Sequence, residues 1–343
     1  MMADDIFTTR REHTQALVER LQATLKRELA DRYDELVGDH TCVYATGSCG
    51  RGEMGEGSDL DAYAVRVEGE PGDSTPIEDA VRAANAAAGL PELDGDGKYL
   101  EMVDARLILD RLGAPNDDGE GVFTKRILLM LESRVLVGAP AYERLLDRVL
   151  DAYWKNETQH RSNYLPLVLV NDIVRYWRIV LLNHESRLRD KEIKLQARPG
   201  LDEAQIEAAI LAERRYSSYK LRLPRCMSCF SALTYLLALT PTDPAHVSRA
   251  QVREMIALQP VQRLNRLPEL VGRELALVDE LLSVYASYLE QSNAGKAVLI
   301  DEMQRDVEVR RRMFREGDAF TKLMFDLVQE LGGGRPLHRH MVV

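Results

Sequence analysis

The segment from Thr46 to Asp61 constrains the fold of this chain most, because it joins two apolar runs through a glycine-rich turn and ends in two acids. The run before it, Cys42 to Ala45, predicts a strand that ends at a Gly47-Ser48 turn. The run after it, Asp61 to Val67, predicts a second strand. The two predicted strands form a hairpin-like pair, with a short helix between them.

Asp59 and Asp61 flank Leu60 at the start of the second predicted strand. Side chains alternate along a strand, so both carboxylates are expected on one face and Leu60 on the other. Two carboxylates a few ångströms apart repel each other unless a cation lies between them. Oxygen ligands favour Mg²⁺ or Mn²⁺ over zinc. An Asp-x-Asp pair alone is most often solvated surface, but the surrounding order of elements favours a magnesium or manganese site.

The turn before the two acids has the residue types that bind phosphate. Gly47 can adopt the positive φ of a tight turn, and glycines let backbone N–H groups approach phosphate oxygens. Ser48 offers a hydroxyl and an N–H to a terminal phosphate. Ser58 has two interpretations, a phosphate contact or a cap on its own turn. We therefore expect a nucleotide-binding turn at Gly47 and Ser48, next to the metal site.

The pattern Gly47-Ser48-x-x-Arg51-Gly52-Glu53, followed by Ser58-Asp59-x-Asp61, resembles the signature of the DNA polymerase β-type nucleotidyltransferase superfamily. The Arg-Gly-Glu element resembles in particular the uridylyltransferases and adenylyltransferases of bacterial nitrogen regulation. The resemblance covers about sixteen residues. It implies a small mixed sheet with helices on one side and two Mg²⁺ ions held by Asp59 and Asp61. It also implies in-line attack on the α-phosphorus of a nucleoside triphosphate with loss of pyrophosphate.

A third carboxylate often completes such a site and takes the proton of the attacking hydroxyl. The candidates are Glu101 and Asp104, on or just after a predicted third strand from Lys98 to Val103. Glu101 shares a strand face with Val103, whereas Asp104 has the alternative of capping the helix that follows. We favour Glu101 as the third catalytic acid, although the usual pattern around this acid is absent.

Four cationic residues are further candidates for nucleotide binding. Arg51 either contacts a phosphate or pins the short helix to an acid. Lys220, Arg222 and Arg225 precede an apolar helix that starts near Cys226. Members of the superfamily place a helical domain over the nucleotide, and this resemblance implies that the three cations bind the triphosphate. The alternative for each of them is a solvated surface charge.

The chain predicts an α+β fold, with a small mixed-sheet nucleotidyltransferase domain followed by an all-helical domain. The first domain is expected over residues 1–137 and includes an N-terminal helix over residues 8–36, with Leu17, Leu21, Leu25 and Leu29 in one stripe. Apolar spacing predicts helices from Thr124 to Val137 and throughout residues 138–331. Residues 332–343 are expected to form a flexible tail.

The amino-acid composition limits the classes of protein to which this chain can belong. Hydrophobic residues make up 45% of the chain and charged residues 29%, as in soluble globular proteins. The net charge of −10 argues against a broad nucleic-acid footprint, so a nucleic-acid partner is not expected. The sequence shows no apolar run of 18 residues and no signal peptide, which favours a cytoplasmic protein without membrane contact. The four cysteines include Cys226 and Cys229 in an apolar helix, where we expect packing rather than zinc or redox chemistry.

The sequence thus predicts a metal-dependent nucleotidyltransferase that moves a nucleoside monophosphate to a hydroxyl of a protein or small molecule. Two alternatives remain at this point. One is a catalytically inactive pseudo-transferase that binds nucleotide and acts in signalling or assembly, which the missing third-acid pattern favours. The other is a toxin or defence enzyme that modifies RNA, and this enzyme would need a basic groove.

Overall fold

In the computed structural model the described residues are 3–93, 100–114, 116, 117, 119–159, 163–197, 200, 202–240 and 245–342. They form a mostly helical protein with one small mixed sheet, which confirms the predicted α+β class. The chain divides into two compact units. The first unit comprises Met1–Leu169 and Pro244–Pro260, and the second comprises Val170–Asp243 and Val261–Val343.

The sheet belongs to the first unit and has four strands. They are β1 (Thr41–Thr46), β2 (Asp61–Arg66), β3 (Val103–Asp104) and β4 (Arg134–Val137). Their order is β3-β2-β1-β4, with β1 antiparallel to both β2 and β4 and with β2 parallel to β3. The predicted pairing of the first two strands is therefore confirmed.

The helices of the first unit surround this sheet. They are α1 (Ala3–Leu29), α2 (Tyr33–Leu36), α3 (Gly47–Arg51), α4 (Thr75–Ala87), α5 (Ala105–Asp110), α6 (Val122–Leu131) and α7 (Ala139–Tyr153), with short 3₁₀ turns at Ala30–Arg32, Gly119–Gly121 and Glu157–Gln159. The predicted N-terminal helix is interrupted at Ala30, whose φ of 39° ends α1. The leucine stripe at 17, 21, 25 and 29 is buried, as its spacing predicts.

Both faces of the sheet are covered. Val43 and Ala45 of β1 and Ala62 and Ala64 of β2 lie in one apolar cluster with buried side chains of α1 and α4. On the other face Tyr44 lies between Tyr63 and the Tyr142 ring of α7, with ring centroids 5.7 and 6.1 Å away. The two faces follow the alternation of side chains along β1 and β2.

The remaining helices form the second unit, apart from α11 and the first residues of α8 and α12. They are α8 (Leu167–Gln196), α9 (Glu203–Lys220), α10 (Cys226–Ala238), α11 (Arg249–Ala257), α12 (Pro260–Val271), α13 (Ala276–Ser292), α14 (Lys296–Arg305), α15 (Val307–Gly332) and α16 (Pro336–Val342). A π-helical turn, Leu221–Arg225, joins α9 to α10 and contains Pro224. Tyr285 of α13 packs on Phe320 of α15 in the core of this unit, with ring centroids 5.7 Å apart.

Two predicted elements are wrong. The helix expected from Thr124 to Val137 ends at Leu131, and Arg134–Val137 forms β4 because this β-branched run pairs with β1. The expected flexible tail is the helix α16. Leu337 is fully buried, and Arg335 donates a hydrogen bond to the Leu237 carbonyl, so this segment is held to its unit.

Two further predictions differ from the structure or fall partly outside it. The predicted domain boundary at residue 137 lies 32 residues before the observed division after Leu169, because α7 packs on β1. The predicted third strand, Lys98 to Val103, includes residues 98 and 99, which lie outside the described residues; among the others only Val103 is in a strand. Within the described ranges, no helix is long and apolar enough to cross a membrane.

Candidate functional site

The register of β1 and β2 places the predicted turn beside the second acid. Thr46, the last residue of β1, pairs with Asp61, the first residue of β2. Gly47 follows with a φ of +62°, and a Cβ on this residue would lie 2.8 Å from Oδ2 of Asp61. The Asp61 carboxylate therefore lies directly against the Gly47 backbone, in space that any side chain at residue 47 would occupy.

The two acids are exposed, and the residue between them is not. Asp59 and Asp61 are exposed, whereas Leu60 is 4% exposed and belongs to the apolar core. Ser48 is half-buried at the start of α3. This agrees with the predicted alternation and leaves both carboxylates accessible to a ligand from solvent.

Ser58 caps its own turn. Its Oγ accepts a hydrogen bond from the Gly55 N–H at 2.9 Å, and its own N–H donates to the Gly55 carbonyl at 3.1 Å. Of the two interpretations for Ser58, the structure contains the turn cap. This turn supports the chain one residue before Asp59.

Arg51 is buried between two acids. Its Nε lies 2.6 Å from Glu53 Oε2 and its Nη1 lies 2.9 Å from Glu132 Oε2, and all three side chains are at most 9% exposed. Of the two alternatives for Arg51, these contacts match the one in which it pins the short helix to an acid. Gly50 is equally constrained, because a Cβ on it would lie 1.9 Å from the Glu132 carbonyl oxygen. The loop that carries the turn is thus anchored to the segment before β4.

The two candidates for a third acid have different surroundings. Asp104 caps α5, since its carboxylate accepts the Arg106 N–H at 2.7 Å. Hydrogen bonding from the Arg106 side chain lowers the pKa of Asp104, which makes this carboxylate a poor proton acceptor. Glu101 is exposed and lies two residues before β3. Parallel pairing of Val103 with Val65 would place Glu101 on the Asp61 face if the pairing continued toward the start of β2.

No group of three or more His, Cys, Asp or Glu side chains among the described residues is arranged to hold a metal ion. Asp59 and Asp61 are the two exposed carboxylates of the predicted pattern. The structure adds no third protein ligand to them from the described residues.

Sequence reasoning missed Lys125. This residue of α6 is 8% exposed, and its Nζ lies 5.8 Å from the centre of the Tyr63 ring. Tyr63 shares its sheet face with Asp61, so a buried cation lies on the same face as the second acid. The signal was the pair Lys125-Arg126 inside an otherwise apolar helix. Arg126 is bound to Asp117 by two hydrogen bonds of 2.8 and 2.6 Å.

The other predicted cations belong to the second unit. Lys220 ends α9, and Arg222 and Arg225 lie in the π-helical turn, next to the predicted start of an apolar helix at Cys226. All three are half-buried. Their assignment to triphosphate binding stays a prediction. Cys226 and Cys229 are buried in α10, as expected for packing residues.

Cys49, next to Ser48, is a buried packing residue as well. Its side chain is fully buried, and burial raises the pKa of its thiol to about 12. At neutral pH the thiol is protonated and shielded, so it is not a reactive group of the candidate site.

The sequence was compared with known proteins. No family model matches it, and no curated protein matches it either.

Proposed function

We propose that the first unit is a metal-dependent nucleotidyltransferase. The observation that carries the proposal is the position of the Asp61 carboxylate against Gly47, which combines an acid pair with a glycine turn at one end of a strand pair. A phosphate bound by the backbone of Gly47 and Ser48 would lie next to Asp59 and Asp61. Two negative groups can share that space only when a cation lies between them.

The donor set fits Mg²⁺ or Mn²⁺. Asp59 and Asp61 supply exposed carboxylate oxygens, and the local sequence has no imidazole and only two sulfur side chains, Cys49 and Met54, both of which are buried. Mg²⁺ is usually held by one or two carboxylates, with phosphate oxygens and water completing its coordination. A pair of acids is therefore sufficient for a site that is completed by a nucleoside triphosphate.

In the proposed reaction, the hydroxyl oxygen of an acceptor forms a bond to the α-phosphorus of the triphosphate. The bond from that phosphorus to the bridging oxygen breaks, and pyrophosphate leaves with the electron pair. Bound metal would neutralise charge on the entering and leaving oxygens. Gly47 and Ser48 would orient the phosphates, and Glu101 would accept the hydroxyl proton. The acceptor is a protein or a small molecule.

The experiment is a transfer assay with each of the four nucleoside triphosphates labelled at the α-phosphate, in the presence of Mg²⁺ or Mn²⁺ and a cell lysate as the acceptor source. We expect label to appear in a macromolecule or a small product. The Asp59→Asn, Asp61→Asn double variant should abolish this label. Asp110→Asn, which removes an exposed acid of α5, is the matched control and should retain it.

A second candidate function is a pseudo-transferase that binds nucleotide without transfer. The absence of a three-acid cluster from the described residues favours it. Triphosphate binding that depends on Asp59 and Asp61, together with no labelled product under any condition, would establish this alternative and contradict the transferase.

A further inference from the structure

Cationic side chains are concentrated on two segments of the second unit. The twelve residues from Arg214 to Arg225 contain five Lys or Arg residues and no carboxylate. The six residues from Arg310 to Arg315 contain four Arg residues and no carboxylate. A chain with a net charge of −10 thus carries two acid-free basic segments.

The fold brings these segments together, because α15 packs against α9 and against the π-helical turn. The Arg222 guanidinium lies 5.0 Å from the centre of the Phe314 ring, and its Cδ lies 3.0 Å from the place of a Cβ on Gly317. One turn before Phe314, Arg310 lies near Arg215: partial desolvation and the positive charge of Arg310 lower the pKa of Arg215. We name Arg215, Arg222, Arg310 and Phe314 the α9–α15 seam.

The arginines of the seam have no acidic partners within the part of the chain that the structure describes. Arg214 and Arg311, which flank it, are ion-paired with Glu192 and Glu308. Arg215, Arg222 and Arg310, in contrast, have no carboxylate within ion-pair distance among the described residues, and Arg310 donates instead to the carbonyls of Met303 and Gln304. Three guanidinium groups on elements that pack together, without carboxylate partners among the described residues, favour the binding of an anion.

Glu316, the acid that follows the basic segment of α15, is already satisfied by neutral groups. Glu316 accepts hydrogen bonds from the Tyr219 hydroxyl at 2.7 Å and from the Ser287 hydroxyl at 2.8 Å. Gln291 donates to both carboxylate oxygens of Glu316, at 3.0 and 2.9 Å. Glu316 is thus held by the core of the unit and does not neutralise the seam.

An exposed aromatic ring lies among these cations. Phe314 is 63% exposed although it is a large apolar residue, and Arg222 covers part of it. Nearby, the Tyr216 ring has Lys220 Nζ at 5.7 Å and Lys296 Nζ at 5.8 Å from its centre. Rings that stack on bases, next to cations that contact phosphates, are the combination by which proteins bind single-stranded nucleic acid.

We propose that the α9–α15 seam binds single-stranded nucleic acid. Arg215, Arg222 and Arg310 contact successive phosphates, and one base stacks on Phe314. Arg215 and Arg222 are separated by roughly 10 Å along the helix, at about 1.5 Å per residue, which spans only a few nucleotides. A footprint of this size is compatible with an acidic protein. The proposal goes beyond the transferase and does not depend on it, because the seam contains none of the residues of the turn and acid pair between Gly47 and Asp61. It gives Arg222 a different ligand from the triphosphate that the sequence predicts for it.

The test measures binding of the full-length protein to fluorescein-labelled U12 RNA and T12 DNA by fluorescence anisotropy over a range of salt concentrations. We expect wild-type protein to bind at least one of them. The Arg215→Gln, Arg222→Gln, Arg310→Gln variant should bind at least tenfold more weakly. Three lost phosphate contacts should reduce the slope of log K against log salt by about 2. The control variant removes the same number of positive charges, but from arginines that are paired with carboxylates: Arg214→Gln, Arg305→Gln, Arg311→Gln. It should bind as the wild-type protein does.

A second pair of variants tests the stacking contact. Phe314→Ala should weaken binding by about tenfold. Phe325→Ala removes another ring of the same helix, which is 61% exposed and has no cation over it among the described residues. This variant should leave binding unchanged. An Asp59→Asn, Asp61→Asn protein should bind normally, which separates this proposal from the transferase.

Several outcomes would overturn the proposal. They are absence of binding to both oligonucleotides, equal losses in the seam and control variants, and equally tight binding of duplex RNA. Equally tight binding of poly-glutamate would instead assign the seam to an acidic protein. Displacement of the oligonucleotide by equimolar Mg²⁺-ATP would also contradict the proposal, and would support triphosphate binding by Arg222, as the sequence predicts.

Discussion

At the scale of single residues, glycine positions carry most of the information about the candidate site. Gly47 is required for two reasons, its φ of +62° and the Asp61 carboxylate 2.8 Å from its would-be Cβ. The first reason is common to many turns. The second is specific to this site, because it links the shape of the turn to the position of an acid.

Substitution of Gly47 by alanine tests this link. We expect Gly47→Ala to displace Asp61 and to weaken triphosphate binding in Mg²⁺ by at least tenfold, as measured with a fluorescent ATP analogue. The matched control is Gly89→Ala, which has a φ of +72° and no atom within 4 Å of its would-be Cβ. Both variants should lose about 1–2 kcal/mol of stability from the left-handed backbone, but only the first should lose ligand. Equal ligand affinity for both would contradict the proposed geometry.

Arg51 offers a second test at this scale. We expect Arg51→Met to lower the free energy of unfolding in urea by about 3 kcal/mol, because it leaves Glu53 and Glu132 buried without this partner. Arg27→Ala removes an ion pair whose arginine is 68% exposed, and should cost less than about 1 kcal/mol. An Arg51→Met protein with wild-type stability and weakened triphosphate affinity would favour the phosphate contact instead.

At the scale of secondary-structure elements, the spacing of apolar residues predicted those helices and strands that are determined by interactions between residues near in sequence. Apolar spacing located β1, β2 and most helices, since each has a face that must be buried. It missed β4, because Arg134–Val137 is too short for a period and becomes a strand only by pairing with β1, about ninety residues earlier. It also missed α16, which follows a glycine run typical of mobile tails and is ordered through the buried Leu337.

The C-terminal helix gives a prediction at this scale. We expect Leu337→Ala to lower the free energy of unfolding by about 2–5 kcal/mol, since it removes a fully buried side chain. Leu182→Ala, in which the leucine is 72% exposed, should change stability by less than about 0.5 kcal/mol. Urea denaturation followed by circular dichroism measures both. If the two variants were equally stable, the last residues would be a tail, as the sequence alone predicts.

At the scale of the whole molecule, the organisation of the chain was the least predictable property. The chain passes from the first unit to the second after Leu169, and residues 244–260 belong to the first unit again. There Arg249 forms an ion pair with Asp147, and the Gln259 side chain lies 2.2 Å from the would-be Cβ of Gly52, in the loop of the candidate site. Such contacts join residues a hundred or more positions apart. No local pattern in a single sequence encodes them.

The candidate site was predictable to the extent that its residues are adjacent in sequence. The turn at Gly47 and the acids at Asp59 and Asp61 were identified from a pattern of sixteen residues. Lys125 was not identified, because only the packing of α6 on the sheet brings it to Tyr63. The third acid stays a prediction, since Glu101 is exposed beside a strand of two residues.

The central claim is that Asp59 and Asp61 support attack on the α-phosphorus of a nucleoside triphosphate. The most direct measurement is the identity of the released product, determined with ATP and the other triphosphates in Mg²⁺ or Mn²⁺ by ³¹P NMR, with a cell lysate as the acceptor source and lysate alone as the background. We predict pyrophosphate release that is lost in Asp59→Asn, Asp61→Asn protein. Release of orthophosphate, or no product from protein that binds the triphosphate, would contradict the claim.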